Sequence, residues 1–112
     1  MTEVRIFRKN GKIEAIEVEG HTGFDEYGKD IVCAALSTII QVVDVGLKEV
    51  LKYSCYNRKQ DKAGGFMGIY LQKDENCEKT QILLETAAKS FKAIEEGYGN
   101  YVKVREVAHS DD

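Results

Sequence analysis

Proline and tryptophan are both absent from the 112 residues. Without proline no turn can be set by a ring-locked φ, so every reversal falls to glycine, asparagine or aspartate, and ten glycines carry most of the irregular backbone. Cysteine is scarce: Cys33, Cys55 and Cys77 form an odd, widely spaced set, which excludes a disulfide framework. No Cys-x-x-Cys pair occurs and the two histidines, His21 and His109, lie far apart, so no metal site and no cofactor are expected. The formal charge is only −3, with acidic and basic residues interleaved, which leaves no basic footprint for direct nucleic-acid binding. The opening Met-Thr-Glu-Val-Arg is no apolar signal segment, and no apolar run approaches the roughly 20 residues that span a bilayer. A cytoplasmic protein without membrane attachment is expected, and the length suits one domain, residues 1–112.

What is present orders itself along the chain. Thr2 to Arg8 and Lys12 to Glu19 read as strands, joined at Asn10-Gly11, a dipeptide suited to the left-handed conformations of a tight hairpin. From Asp30 the apolar residues Ile31, Val32, Ala35, Leu36, Ile39, Ile40, Val43, Leu47 and Val50 recur at helical spacing, predicting a helix from about Ile31 to Tyr53. The polar stretch 57–65 reads as a connector, Phe66 to Leu71 as a third strand, and Glu78 to Glu96 as a second helix stopped by Gly97 and Gly99. Tyr101 to Val107 closes the chain as a fourth strand. The order strand, strand, helix, strand, helix, strand predicts an α+β domain of two layers, two helices packed on a mixed four-stranded sheet.

Chemistry concentrates in residues 20–37. His21 sits in a loop bracketed by Gly20, Gly23 and Gly28, and Asp30 has the character of a helix N-cap. That cap would put Cys33 at the third helical position, facing unpaired backbone N–H groups and the positive end of the helix dipole, which favour a thiolate. Around the helix, Val32, Ala35, Leu36, Ile39, Val43, Leu47 and Val50 form an apolar arc, and Cys33 falls on its seam with the polar face. A cysteine that only packs would lie at the middle of the arc, since free cysteine behaves as a small hydrophobe. Cys55 and Cys77 have that ordinary structural reading. His109 lies in the Ala-His-Ser-Asp-Asp tail, where fraying is the usual state.

Gly20-His21-x-Gly23, followed by Gly28-x-Asp30-Ile31-Val32-Cys33-Ala34-Ala35-x-Ser37, resembles the signature of the bacterial ribosomal-processing cysteine protease family, Prp. The resemblance covers the whole chain. It implies that Cys33 is a nucleophile and His21 its base in a two-residue dyad, within a homodimer. The implied activity is an endopeptidase that removes the N-terminal extension of a bacterial large-subunit ribosomal protein, the twenty-seventh of its series, cutting after a Phe-Phe segment. Thr22 stands where the family has a small alanine.

The neighbouring residues keep two readings each. Asp30 either caps the helix or orients His21, and Ser37 either bonds near the sulfur or faces water. Phe24 and Tyr27 either line a pocket for an aromatic substrate side chain or pin the loop. Gly20, Gly23 and Gly28 serve either the turn or a hinge. The first-turn amides, that of Cys33 included, are the expected oxyanion donors. Two other classes compete with a protease: a non-catalytic ribosome-associated assembly factor, which would not need both Cys33 and His21, and a thiol redox protein, which would need a resolving thiol.

Overall fold

The computed structural model describes residues 1–20, 27–61, 65–72 and 77–109, with the backbone alone given for 27–30 and 109. β1 (Thr2–Lys9) and β2 (Lys12–Glu19) form the expected antiparallel hairpin. Asn10 and Gly11 both take positive φ, 54° and 81°, the pairing that lets a two-residue turn follow the right-handed twist of its strands. α1 (Tyr27–Val45) runs on into a π-helical turn, Gly46–Val50. β3 (Tyr56–Gln60), β4 (Phe66–Leu71), α2 (Glu78–Gly97) and β5 (Val102–His109) follow. The strands assemble in the order β3-β4-β2-β1-β5, antiparallel throughout except that β1 and β5 run parallel in register from Thr2↔Val102 to Lys9↔His109.

The architecture is therefore α+β with two helices on a mixed sheet, but the sheet has five strands rather than four. The additional strand is β3, in the stretch expected to be a connector. Its sequence Tyr-Asn-Arg-Lys-Gln carries no apolar alternation because it is an edge strand paired on one side only, to β4. Tyr56 and Arg58 face the helix from β3, and Arg58 reaches across to α1 and bonds Asp44 Oδ2 at 2.9 Å and Gln41 Oε1 at 2.8 Å.

The core lies between sheet and helices. Val4, Ile6, Ile16, Val18 and Ile69 point inward from alternating strand positions. α1 answers with Val32, Leu36, Ile40, Val43 and Leu47, and α2 with Leu84, Ala87, Ala88 and Phe91. Each large side chain so buried contributes about 1.5–3 kcal/mol. Val50, expected on this arc, is instead 73% exposed. The reason is the π turn: Leu51 N–H bonds to Gly46 O at 2.8 Å, five residues back, and the extra residue per turn rotates Val50 off the stripe. Gly46 also lets the helices close, since a Cβ there would stand 2.7 Å from Leu83 Cδ2.

The expectation that no apolar run approaches a membrane-spanning length is also corrected. Ile31–Val50 forms a helical segment of 20 residues with mean hydropathy 1.7, long and apolar enough to span a bilayer. In this fold it is the central core helix: its inner residues Val32, Leu36, Ile40, Val43 and Leu47 are sealed against the sheet, and Asp44 on its flank is tied to β3.

Ionic ties join the layers at their margins. Arg8 bonds Glu85 of α2 at 2.6 Å and Glu106 of β5 at 2.7 Å, and Lys92 of α2 also meets Glu106 at 2.6 Å. Asp44 accepts from Tyr56 Oη at 2.5 Å as well as from Arg58. Burial pushes the Asp44 carboxyl up, but the bonds from Tyr56 and Arg58 outweigh it and hold the group below its ordinary range. Burial and the Asp44 carboxylate together push Tyr56 up to about 12. A carboxyl depressed in the folded state contributes stability above its unfolded value of about 3.9, and that contribution is lost as pH falls through the folded value. Urea unfolding at pH 7 and at pH 3 is expected to show a smaller acid loss for Asp44→Asn than for the wild type; equal losses would mean that Asp44 carries no net linkage.

Candidate active site around Cys33

α1 begins at Tyr27, not at Ile31. Asp30 is thus the fourth helical residue rather than the N-cap, and Cys33 the seventh rather than the third. An α-helix pairs the amide of each residue with the carbonyl four back, so the Cys33 N–H is spent on the helix and is not a free oxyanion donor. The groups without intrahelical partners are the first four amides, residues 27–30. Helical side chains lean toward the N-terminal turn, so a side chain at position 33 still lies within reach of the dipole's positive end, though less directly than at the third position.

Val32, fully buried, anchors this part of α1 to the sheet, and Cys33 beside it is half-buried, on the edge of the apolar stripe. Its sulfur lies 3.8 Å from the hydroxyl of Thr2, the first residue of β1. Thr2 is 2% exposed, one of the buried polar residues of the domain. Its backbone N–H bonds Tyr101 O at 2.9 Å, which fixes the start of β1 against the approach to β5.

Gly20 closes the third side. It follows β2 directly, and its N–H bonds Gly65 O at 2.8 Å. A Cβ built on Gly20 would stand 2.7 Å from Thr2 Oγ1 and 3.4 Å from Thr2 Cγ2. A buried β-branched side chain has few rotamers with which to relieve such a contact. Gly20 is therefore required for close approach, not as a left-handed turn residue: among the described glycines positive φ occurs at Gly11 and Gly65. The chain thus delivers Gly20 to Thr2, and Thr2 to Cys33. His21, Gly23 and Phe24 lie outside the described residues, as do the side chains of Tyr27, Asp30 and His109, whereas Gly28 is the second residue of α1, in helical backbone rather than a turn. Ser37 is half-buried one turn beyond Cys33, and the described side chain that bonds the sulfur is Thr2, not Ser37. Sequence spacing could not have found Thr2, which is 31 residues from Cys33.

With this geometry in place, similarity to known proteins settles the family. The family model described as Cysteine protease Prp matches residues 1–103. The chain belongs to the Prp family of cysteine proteases. The ribosomal processing cysteine protease Prp of Staphylococcus aureus is 31% identical over 94 residues, covering 84% of this chain and 87% of that protein. The S. aureus Prp crystal structure in complex with a substrate peptide superposes with a TM-score of 0.81 at 27% identity, covering 95% of this chain and 99% of that one. SMU.848 from Streptococcus mutans superposes with a TM-score of 0.85 at 29% identity, covering 97% and 96% of the two chains.

The other two thiols differ from one another more than their sequence contexts suggested. Cys55 is half-buried after the π turn. Cys77 is exposed at the N-cap position of α2, with Thr80 in the first turn beyond it. The Thr80 amide faces the sulfur, short of a closed capping hydrogen bond, and with the Thr80 hydroxyl at 3.8 Å it holds the Cys77 thiol below its ordinary range. Mass-spectrometric labelling with iodoacetamide at pH 7 is expected to modify Cys77 several-fold faster than Cys55; equal rates in the folded protein would remove the helix-terminus effect.

Proposed function

We propose that this chain is a cysteine endopeptidase in which Cys33 is the nucleophile and His21 the base. Its substrate in this reading is the N-terminal extension of the twenty-seventh large-subunit ribosomal protein, cut after a Phe-Phe segment during ribosome maturation in the cytoplasm. The observation that carries the reading is the family match over residues 1–103, which spans both residues, together with the contact chain Gly20–Thr2–Cys33. The residue that precedes His21 in sequence packs against the residue that touches the sulfur, which supports the pairing of His21 and Cys33 in one site. A peptide substrate is supported by the S. aureus relative, solved with a substrate peptide and again with a covalently linked product peptide.

The chemistry follows from these parts. His21 takes the Cys33 proton; the thiolate attacks the scissile carbonyl; the amine leaves with the proton from His21; water then cleaves the thioester. Because the Cys33 amide is committed to the helix, the developing oxyanion is assigned to the unpaired amides that open α1 and to the Gly20–Gly28 segment. Asp30 and Ser37 flank the nucleophile on the same helix, and Phe24, with Tyr27 at the first position of α1, supplies aromatic surface for the substrate phenylalanines.

Cleavage of the corresponding ribosomal peptide, read by mass spectrometry of the products, tests this reading. Cys33→Ala is expected to abolish cleavage while circular dichroism stays native, and His21→Ala to reduce turnover about 10²–10⁴-fold. Wild-type rates in either variant would overturn the dyad.

A homodimer belongs to the same reading. The outer faces of the two helices, which the sheet does not use, present Val42, Val45, Val50 and Ile82 at 36–73% exposure around an open apolar groove of about 560 Å³. Apolar surface of this kind gains burial when two copies meet. Light scattering is expected to give twice the chain mass of 12.6 kDa, and Val42→Lys to shift the population toward monomer. A purely monomeric wild type would end this part of the proposal.

A further inference from the structure

Thr2 is a buried polar residue with a single described side-chain partner, and that partner is the sulfur of Cys33. An inward-facing position at the end of a central strand is one where valine would pack as well, and the next inward position of β1 is Val4. A hydroxyl taken out of water there is unfavourable unless it is bonded. The contact also has a direction that depends on the sulfur. A neutral thiol can give its proton to Thr2 Oγ1 or accept from it, but a thiolate has no proton and can only accept. Loss of the Cys33 proton therefore turns the pair into one arrangement, hydroxyl to sulfur anion, and a bond to an ionised acceptor is stronger than the neutral one.

We infer that Thr2 is a positioning residue for the nucleophile: its hydroxyl donates to the Cys33 thiolate and holds the sulfur toward the Gly20 side of the site. The inference rests on the reading of Cys33 as nucleophile. Three restraints make Thr2 fit for the role. Its backbone is locked into β1 and bonded to Tyr101, its side chain is β-branched and stiff, and Gly20, having no Cβ, leaves the space that the hydroxyl occupies. Gly20 thereby acquires a second purpose. A side chain there would displace Thr2 Oγ1 from its present place, so the glycine before His21 protects the contact that Thr2 makes with Cys33.

The test is the pH profile of iodoacetamide alkylation at Cys33, followed by mass spectrometry in a Cys77→Ser background so that the exposed thiol does not consume reagent. Thr2→Val removes the hydroxyl and keeps the shape, whereas Thr2→Ser keeps the hydroxyl. Thr2→Val is expected to slow Cys33 alkylation at pH 7 by about threefold to tenfold and to move the midpoint of the profile to higher pH, with Thr2→Ser within about twofold of the wild type. Peptide cleavage should lose kcat by a similar factor with KM unchanged. Should Thr2→Val fail to fold by circular dichroism, Thr2→Ala against Thr2→Ser makes the same comparison. A Thr2→Val profile that superposes on the wild type overturns the inference, and so does a Thr2→Ser variant as slow as Thr2→Val, which would show that shape and not the hydroxyl matters. The alkylation profile reads the Thr2 contact whether or not Cys33 is catalytic. Cleavage surviving in Cys33→Ala would therefore refute the nucleophile and leave the Thr2 measurement interpretable.

Discussion

The burial of one helical stripe against one sheet face governs the rest of this molecule. Val32, Leu36, Ile40, Val43 and Leu47 fix the rotation of α1 about its own axis, because turning the helix by a single residue would swing about 100° of apolar surface into water. Cys33 has no freedom of its own. It stands where Val32 puts it, at the margin of the stripe and over the start of β1. The depth of that anchoring explains how a half-exposed sulfur can keep a fixed relation to Thr2 without any covalent tie.

The charged residues complete what the apolar core leaves open. Arg8 draws α2 toward β1 and β5, and Arg58 with Tyr56 draws α1 toward β3. Both arginines occupy helix-facing strand positions at the limits of the core, where a long side chain can cover apolar surface with its stem and place its guanidinium against a helix carboxylate. These pairs are partly exposed, so they contribute less to stability than to fixing which helix lies over which strand.

Much of the fold was legible because its signals are local. The Asn10-Gly11 turn, the alternation along β1 and β2 and the 3.6-residue rhythm of both helices announce themselves within a few residues. β3 did not, because its inward side chains are Tyr56 and Arg58, which meet a carboxylate on α1, Asp44, 12 and 14 residues away. The start of α1 was hidden by a false cue: Asp30 has the character of a cap, while Tyr27, Gly28 and Lys29 before it carry no helical periodicity. The π turn at Gly46 likewise leaves no mark on the pattern, and so Val50 was drawn onto a face it does not share. At the site the motif pointed to Cys33, but Thr2 joins it only through the meeting of a strand start and a helix, which no spacing rule reports.

The parallel pairing of β1 with β5 bears on how the protein can be handled. Thr2 lies opposite Val102 and Lys9 opposite His109, so the chain enters the sheet beside Cys33 and leaves it at the hairpin end. Seven strand steps separate the two, roughly 23 Å. An affinity tag or reporter joined ahead of Met1 would begin one residue from the threonine that touches the sulfur, crowding the surroundings of Cys33. The same fusion placed beyond His109 would emerge at the far end of the domain, making the C-terminus the side from which this molecule is best purified, immobilised or labelled.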